Sequence, residues 1–506
     1  MKPLSKLYSN QALLVLLTVL VKVPIFFTRH IQEDAYITWR VARNFLESSV
    51  IGFNGAERIS ASTTHLYMAV SAIFQAVFGD FFIYPVLIFS SVLFAVGSIW
   101  LARIFFKDDL KRQFIFVLLL NVVPPALTAS CVGMEYGALF FLYCGLIYHG
   151  IFLGRKWAYF VFPVLLLWTR LDAALFLSVF FVADLVMRRR ISIAFLVGGI
   201  LGIFTVVAFN YLYFGEWVNH TITAKKIAYK NLFVDSSWKH ILFQWAYYGG
   251  LIKKYSVFTL AVFLIFLVFL AICLLKIIKD KKFTHHQKIL LLAITVFALV
   301  KISVFAYFQA YFDWYYWLPR VFLFAVVIVY LLRYLPLNKK IVLPGFIIVF
   351  GGLYLFQFLQ SYAIGYMEDG QRRRIAKELS VNAGPKHSIM LEPAGIIPFH
   401  TRFYTYDEVG LVNKKMTAEM LKDEEFWWIN SVRKFRPDYI LTVNYEVGDP
   451  ASYYHLKPSD STYFSAHYKA VKTFPIADLH KNAPAILKWI YELRPIGKDY
   501  HLYKKL

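Results

Sequence analysis

The sequence predicts a polytopic α-helical membrane protein, with about 11 transmembrane helices and a small α/β domain at its C-terminal end. Three observations carry that reading. Of 506 residues, 59% are hydrophobic and only 17% are charged, where a soluble chain carries about a quarter charged. Apolar runs recur from residue 11 to residue 360, most of them near the roughly 20 residues a helix needs to cross the hydrocarbon core. After residue 361 the pattern changes to short alternating and amphipathic stretches.

The candidate spans are 11–28, 82–104, 113–129, 136–153, 157–169, 173–187, 191–213, 256–277, 289–307, 319–336 and 341–361. Cytoplasmic loops collect Lys and Arg. Lys2 and Lys6 put the N-terminus inside, and the basic loops at Lys107–Arg112, Arg155–Lys156, Arg188–Arg190, Lys276–Lys288 and Leu337–Lys340 fall on the same side. Loops 29–81, 214–255 and 308–318 then lie outside, with everything after 361. That orientation requires HLYMAVSAIFQAVF, residues 65–78, to lie on the surface or re-enter, because it is too short to span. Residues 1–28 have the basic start and apolar body of a signal peptide. No small-residue cleavage site follows, so they read as an uncleaved anchor.

The net charge of +23 is accounted for by these loops and by outward basic residues, and no nucleic-acid partner is expected. Cys131, Cys144 and Cys273 fall in or beside apolar runs and read as packed thiols, not a disulfide framework. There is no zinc-like Cys/His spacing, so no cofactor is expected, and a divalent metal is left open without being indicated. The chain divides into a membrane domain, 1–361, with an outer loop at 29–81, and an outer-face domain, 362–506. In the latter QRRRIAKEL and DEEFWWINSVRKF read as helices, and HSIML, RFYTY and DYILTV as strands.

Charged residues at the outer boundaries of the spans are the candidates for chemistry. HIQEDAYITWRVARNFL, residues 30–46, places Glu33 and Asp34 together where the first span ends. An Asp at a helix head is an N-cap or a solvated charge; it is also where a general base could take a proton from an acceptor hydroxyl. On a helix starting there, Ile37, Val41 and Phe45 share one face and Tyr36, Arg40 and Arg43 another. WTRLDAALF sets Arg170 and Asp172 in about thirty otherwise apolar residues, either as an ion pair or facing a cavity. Glu135 in GMEYGALFF stands at the outer head of a span, where a carboxylate suits the helix dipole. NYLYFGEWVNHTITAKKIAYK carries His220, Lys225, Lys226 and Lys230, a basic belt for anionic lipid or a cradle for phosphate. In FDWYYWLPR, Arg320 follows interfacial aromatics and could grip a phosphate bidentately.

Taken in order, EDAYITWRVARNF, GFNGAERISASTTHLYMAV, GMEYGALF, TRLDAALF and NYLYFGEWVNHTITAKK resemble the motifs of membrane glycosyltransferases with the C-type fold. The set is most similar to the mycobacterial terminal arabinofuranosyltransferases and their bacterial relatives. The resemblance covers residues 30–230 well, the aromatic loop before Arg320 loosely, and the outer domain in general layout. SASTTHLY stands where EGYTNPLW is common, TRLDA replaces TRPDG, and WVNHTITAK replaces PNTxYAK.

The resemblance implies the C-type glycosyltransferase fold, a polyprenyl-phosphate sugar donor and transfer on the outer face of a bacterial cytoplasmic membrane. The sugar could be a pentofuranose such as arabinofuranose, and the acceptor an envelope glycan, lipid or protein. The family's catalytic aspartate aligns with Asp34 or Glu33, with Asp34 preferred because it directly precedes AYI. Arg170, Lys225, Lys226, Arg320 and His220 are the expected donor-phosphate contacts, with Glu135, Asp172, Tyr36 and Arg40 around the same exoplasmic cavity. The alternatives are a transporter or flippase of lipid-linked glycans, an enzyme moving an acyl or phospho group, and a non-catalytic scaffold for envelope assembly.

Overall fold

The computed structural model describes residues 10–229, 256–308, 312–337, 339–382, 386–452, 454–493 and 495–506. Lys2, Lys6 and Lys230 lie outside the described residues, as does much of loop 214–255.

Each of the eleven apolar stretches folds as helix. They are Gln11–Phe27, Ile83–Phe106, the bent pair Leu110–Val122 and Pro124–Cys131, Tyr136–Phe152, Lys156–Thr169, Ala173–Arg188, Ile193–Phe214, Ser256–Lys279, His285–Tyr307, Asp313–Tyr334 and the long Val342–Asn382. Among the described residues five of these are long and apolar enough to cross a membrane, or six if the bent pair counts as one span, and three shorter apolar helices accompany them. This is a multi-pass membrane protein. The 74° bend in the pair has a local cause. Val123 adopts an extended backbone, φ −69° and ψ 146°, as a residue before proline must. Pro124 and Pro125 then start the next helix, where a missing N–H costs nothing.

Two compact units divide the chain. The first comprises residues 1–24, 86–206 and 233–357; the second comprises 25–85, 207–232 and 358–506. In the first, aromatic rings join the helices. Phe94 stacks on Phe140 at 4.1 Å, Tyr143 on Phe176 at 4.0 Å, and Phe297 meets Phe176 edge-on at 5.0 Å. Small residues let backbones close in, as in membrane helix pairs generally. A Cβ at Gly137 would lie 2.1 Å from Ser90 Oγ.

The second unit is built on a five-stranded sheet of order β2-β1-β3-β5-β4, with β1 Ser388–Leu391, β2 Tyr404–Asp407, β3 Tyr439–Val443, β4 Tyr468–Phe474 and β5 Tyr500–Lys505. β1 pairs in parallel with β2 and β3, while β5 pairs antiparallel with β3 and β4. The three sequence-predicted strands are β1, β2 and β3, and DEEFWWINSVRKF supplies the helix Trp427–Phe435. One face of the sheet is covered by Ile375, Ala376 and Leu379, which pack with Ile389, Leu391, Leu441 and Leu502. In the same unit Glu33–Ser48 forms a helix whose Ile37 and Val41 pack against Phe53, Ile59, Met68, Ala394 and Val412. Residues 65–78 are a 14-residue helix, short of a bilayer crossing.

Sequence reading separates the span 341–361 from an amphipathic helix QRRRIAKEL. The structure joins them as one helix of 41 residues. No proline intervenes. Gly365, which could have ended it, is instead a close-approach position: a Cβ there would lie 2.0 Å from the Thr28 carbonyl oxygen.

His30, just beyond the first helix, is buried in this second unit, with Nδ1 3.3 Å from Ser361 Oγ. Loss of solvent holds its pKa down to about 4, against a smaller upward pull from Glu368. The unfolded chain takes up this proton near pH 6.5, the native protein only near 4. At this site the unfolded state therefore binds more protons between those values, and the site's contribution to stability falls as pH drops through that window. The full loss is about 3 kcal/mol, from about 1.36 kcal/mol per unit. Asp369, which accepts from the neighbouring Ile31 N–H and is pushed up to about 8 by burial, contributes with the opposite sign, so the loss should be read as the difference between the parent and His30→Gln in thermal melts at pH 7 and pH 4.5.

Candidate active site

The candidate residues fall in two groups, one in each unit. In the first unit the chain leaves the helix Lys156–Thr169 at Arg170, turns, and re-enters helix at Ala173. This break puts Arg170 and Asp172 side by side inside the bundle. Arg170 Nε donates to Asp172 Oδ1 at 2.8 Å, and its Nη1 donates to Glu135 Oε1 at 2.6 Å. Glu135 is delivered by the start of the helix Tyr136–Gly145 and is 2% exposed. Lys301, 1% exposed, completes the group from the helix His285–Tyr307, with Nζ 3.1 Å from Asp172 Oδ2. Two carboxylates and two cations thus balance one another, with only Asp172 keeping partial contact with solvent, as largely buried charges must.

Aromatic rings enclose this group. The Arg170 guanidinium lies 5.5 Å from the ring centroids of both Tyr136 and Tyr315, and Tyr136 meets Trp317 edge-on at 5.5 Å. Trp317 Nε1 donates to Asp313 Oδ2 at 2.7 Å, and Arg320 Nη1 donates to the other oxygen of Asp313 at 3.1 Å. Glu135, Arg170, Asp172 and Arg320 are thereby linked through one network. Sequence reading missed Lys301, although its signal is legible: a single cation in the apolar run ITVFALVKISVFAY.

In the second unit the paired acids at the head of the helix Glu33–Ser48 have unlike surroundings. Glu33 is held on every side. It accepts from Arg372 Nη1 at 3.0 Å and from the backbone N–H groups of Gly395 and Ile396 at 2.8 Å each. Burial pushes its carboxyl up, against the pull of Arg372 and the two amides. Gly395 is required, since a Cβ there would lie 2.4 Å from the Glu33 carbonyl oxygen. Arg372 also binds Glu368 at 2.7 Å. Asp34, one residue on, is half-buried. It makes no hydrogen bond or ion pair among the described residues, and it sits in the first turn of a helix whose dipole favours its charge.

Tyr36 is buried, packed on Trp39 and Phe399 at 5.1 and 5.3 Å. Arg40 donates to the carbonyls of Phe53, Pro398 and Phe403 at 3.1, 2.6 and 2.7 Å, so its guanidinium ties the loop after the helix Glu33–Ser48 to the region before β2. His220 is buried, with Nδ1 2.9 Å from Glu216 Oε1 and Nε2 3.1 Å from the Gly410 carbonyl. Lys225 and Lys226 occupy the last turn of the helix His220–Ala228, the first half-buried and the second exposed. Among the described residues, no three or more His, Cys, Asp or Glu side chains gather as metal ligands.

The fold, a multi-pass helical membrane unit and a sheet-bearing unit, has solved counterparts. That fold is shared with ArnT from Cupriavidus metallidurans. Against the structure of ArnT bound to undecaprenyl phosphate the TM-score is 0.54, with 13% identity over 97% of each chain. Against the apo structure it is 0.55, with 12% identity over 96% of this chain and 97% of that one. Residues 360–503 match a family described as a domain of unknown function, DUF8728. No curated protein matches the sequence.

Proposed function

We propose that the chain is a membrane glycosyltransferase that moves a sugar from a polyprenyl-phosphate donor to an acceptor hydroxyl. The observation that carries this is the contrast between the two acids. Glu33 is saturated by Arg372 and two backbone amides, whereas Asp34, at the same helix head, meets no hydrogen-bond or ion-pair partner among the described residues. The shared fold supports the donor class, because ArnT has been captured with undecaprenyl phosphate.

In this reading Asp34 accepts the proton of the acceptor hydroxyl. The acceptor oxygen bonds to the anomeric carbon, and the bond from that carbon to the phosphate oxygen breaks. Polyprenyl phosphate leaves with the electron pair. Lys225 and Lys226, in the same unit, are the cations proposed to meet the charge growing on the phosphate. Arg170 and Arg320 start from carboxylate partners, so a phosphate would compete with Asp172, Glu135 or Asp313 for them. We further propose a pentofuranose such as arabinofuranose as the sugar, an envelope glycan, lipid or protein as acceptor, and a bacterial cytoplasmic membrane with the reaction on its outer face.

The test is turnover. Purified protein in lipid nanodiscs, given synthetic polyprenyl-phosphate arabinofuranose and envelope glycan fragments, should release polyprenyl phosphate and lengthen the acceptor. Movement of an intact lipid-linked glycan across liposomes without release would instead establish a transporter.

A further inference from the structure

The helix Val342–Asn382 carries the chain from its last apolar span into the second unit. Its apolar run from Val342 to Ser361, at 1.5 Å per residue, covers about 30 Å, the thickness of the hydrocarbon core. Residues 362–366 carry the helix through the next ~7 Å, within the roughly 5–8 Å that the headgroup layer adds on each side.

At that level the helix holds a small helical hairpin, Ile476–Lys481 and Ala485–Leu493. Ala363 and Met367 pack against Ala483 and Leu487, and Tyr366 Oη donates to the Asn482 carbonyl at 3.1 Å. Leu487 is fully buried in this contact, and Tyr491 stacks on His480 at 4.1 Å. Residues three apart on a helix share a stripe, and a second stripe of the Ala485–Leu493 helix is bare. Ile486 is 43% exposed and Trp489 is 55% exposed. Exposed Glu492 is the next residue of that stripe, half-buried Lys488 stands on the same helix, and exposed Lys481 ends the other.

We propose that this stripe is a membrane-surface anchor, with Ile486 and Trp489 inserted into the headgroup layer of the bilayer and Lys481 and Lys488 reaching anionic headgroups. Three features fit that occupant. The hairpin is fixed to a helix segment one turn past the end of its apolar run. Tyr362, Tyr366 and Trp489 supply the amphipathic rings that concentrate at membrane–water interfaces. The long stems of the lysines suit a position where the charge stays wet while the chain lies on apolar surface. The inference rests on membrane insertion and is independent of the proposed transfer reaction.

Site-directed spin labelling of the full-length protein in liposomes of phosphatidylcholine and phosphatidylglycerol tests it. Nitroxides placed by Ile486→Cys and, separately, Trp489→Cys are compared with one at Leu421→Cys, which is 66% exposed in the same unit. Cys131, Cys144 and Cys273 are buried, and the unsubstituted protein gives the background. Power saturation should show oxygen accessibility exceeding that of a nickel chelate at 486 and 489, with the order reversed at 421. Labels at 486 and 489 as open to nickel as the one at 421 would overturn the anchor. Shielding from both relaxants would overturn it too, and would place another protein surface on the stripe.

Discussion

Asp34→Asn is expected to stay within about 1 kcal/mol of the parent in stability and to lose about 10² to 10⁴ in turnover, the worth of a positioned general base. The stability half of this expectation follows from its surroundings. No protein group among those described depends on the Asp34 carboxylate, and its favourable interaction with the helix N-terminus is worth about 0.3–1 kcal/mol. Glu33→Gln should behave in the opposite sense. The amide oxygen can still accept from Gly395 and Ile396, but the ion pair with Arg372 goes. Arg372 keeps Glu368, so the loss should fall short of the about 3–5 kcal/mol typical of an orphaned buried charge. Turnover by the folded fraction should survive. Release of polyprenyl phosphate and chemical unfolding, measured on the same preparations, separate the two effects. Full turnover by Asp34→Asn would remove the base; abolished turnover with unchanged stability in Glu33→Gln would transfer the role to Glu33.

That contrast was not legible in the sequence, where Glu33 and Asp34 are simply adjacent acids. Their difference is made by Arg372 and by the backbone at Gly395, more than three hundred positions away. Nothing in QRRR singles out its first arginine as the partner. The membrane helices were far easier to read, because hydropathy is a local property and each helix forms its backbone hydrogen bonds within itself. β1 to β3 were visible as short runs such as DYILTV, all five of whose strand residues are buried. β4 was not. Its sequence YKAVKTF buries only its first and last residues, and its pairing with β5 slips between Ala470 and Lys472. It is an edge strand protected by lysines and a bulge, and that protection erases the alternation by which strands are recognised. Lys301 is a different case. A single lysine in an apolar run was visible, but the four-member group it completes needs three separate helical segments to be brought together.

Arg170→Met is expected to destabilise the folded protein by about 3–5 kcal/mol, because it leaves buried carboxylates short of a cation. Glu135 would lose the Nη1 donor at 2.6 Å and Asp172 the Nε donor at 2.8 Å, with Lys301 remaining for Asp172 alone. Arg170→Lys should recover only part of the loss, since one ammonium cannot reproduce the fork that reaches both acids. The diagnostic variant is the double Arg170→Met, Glu135→Leu. It removes the orphaned carboxylate and keeps the Asp172–Lys301 pair, so it should unfold at higher denaturant than Arg170→Met alone. Urea or thermal unfolding in a mild detergent reads this order directly. If Arg170→Met instead unfolds like the parent and raises only the KM for a polyprenyl-phosphate sugar, the guanidinium serves the donor phosphate and its contacts to Glu135 and Asp172 are exchangeable. If both effects appear, the double variant separates them. Its stability returns because the uncompensated charge is gone, while its KM stays high because the donor still lacks its cation.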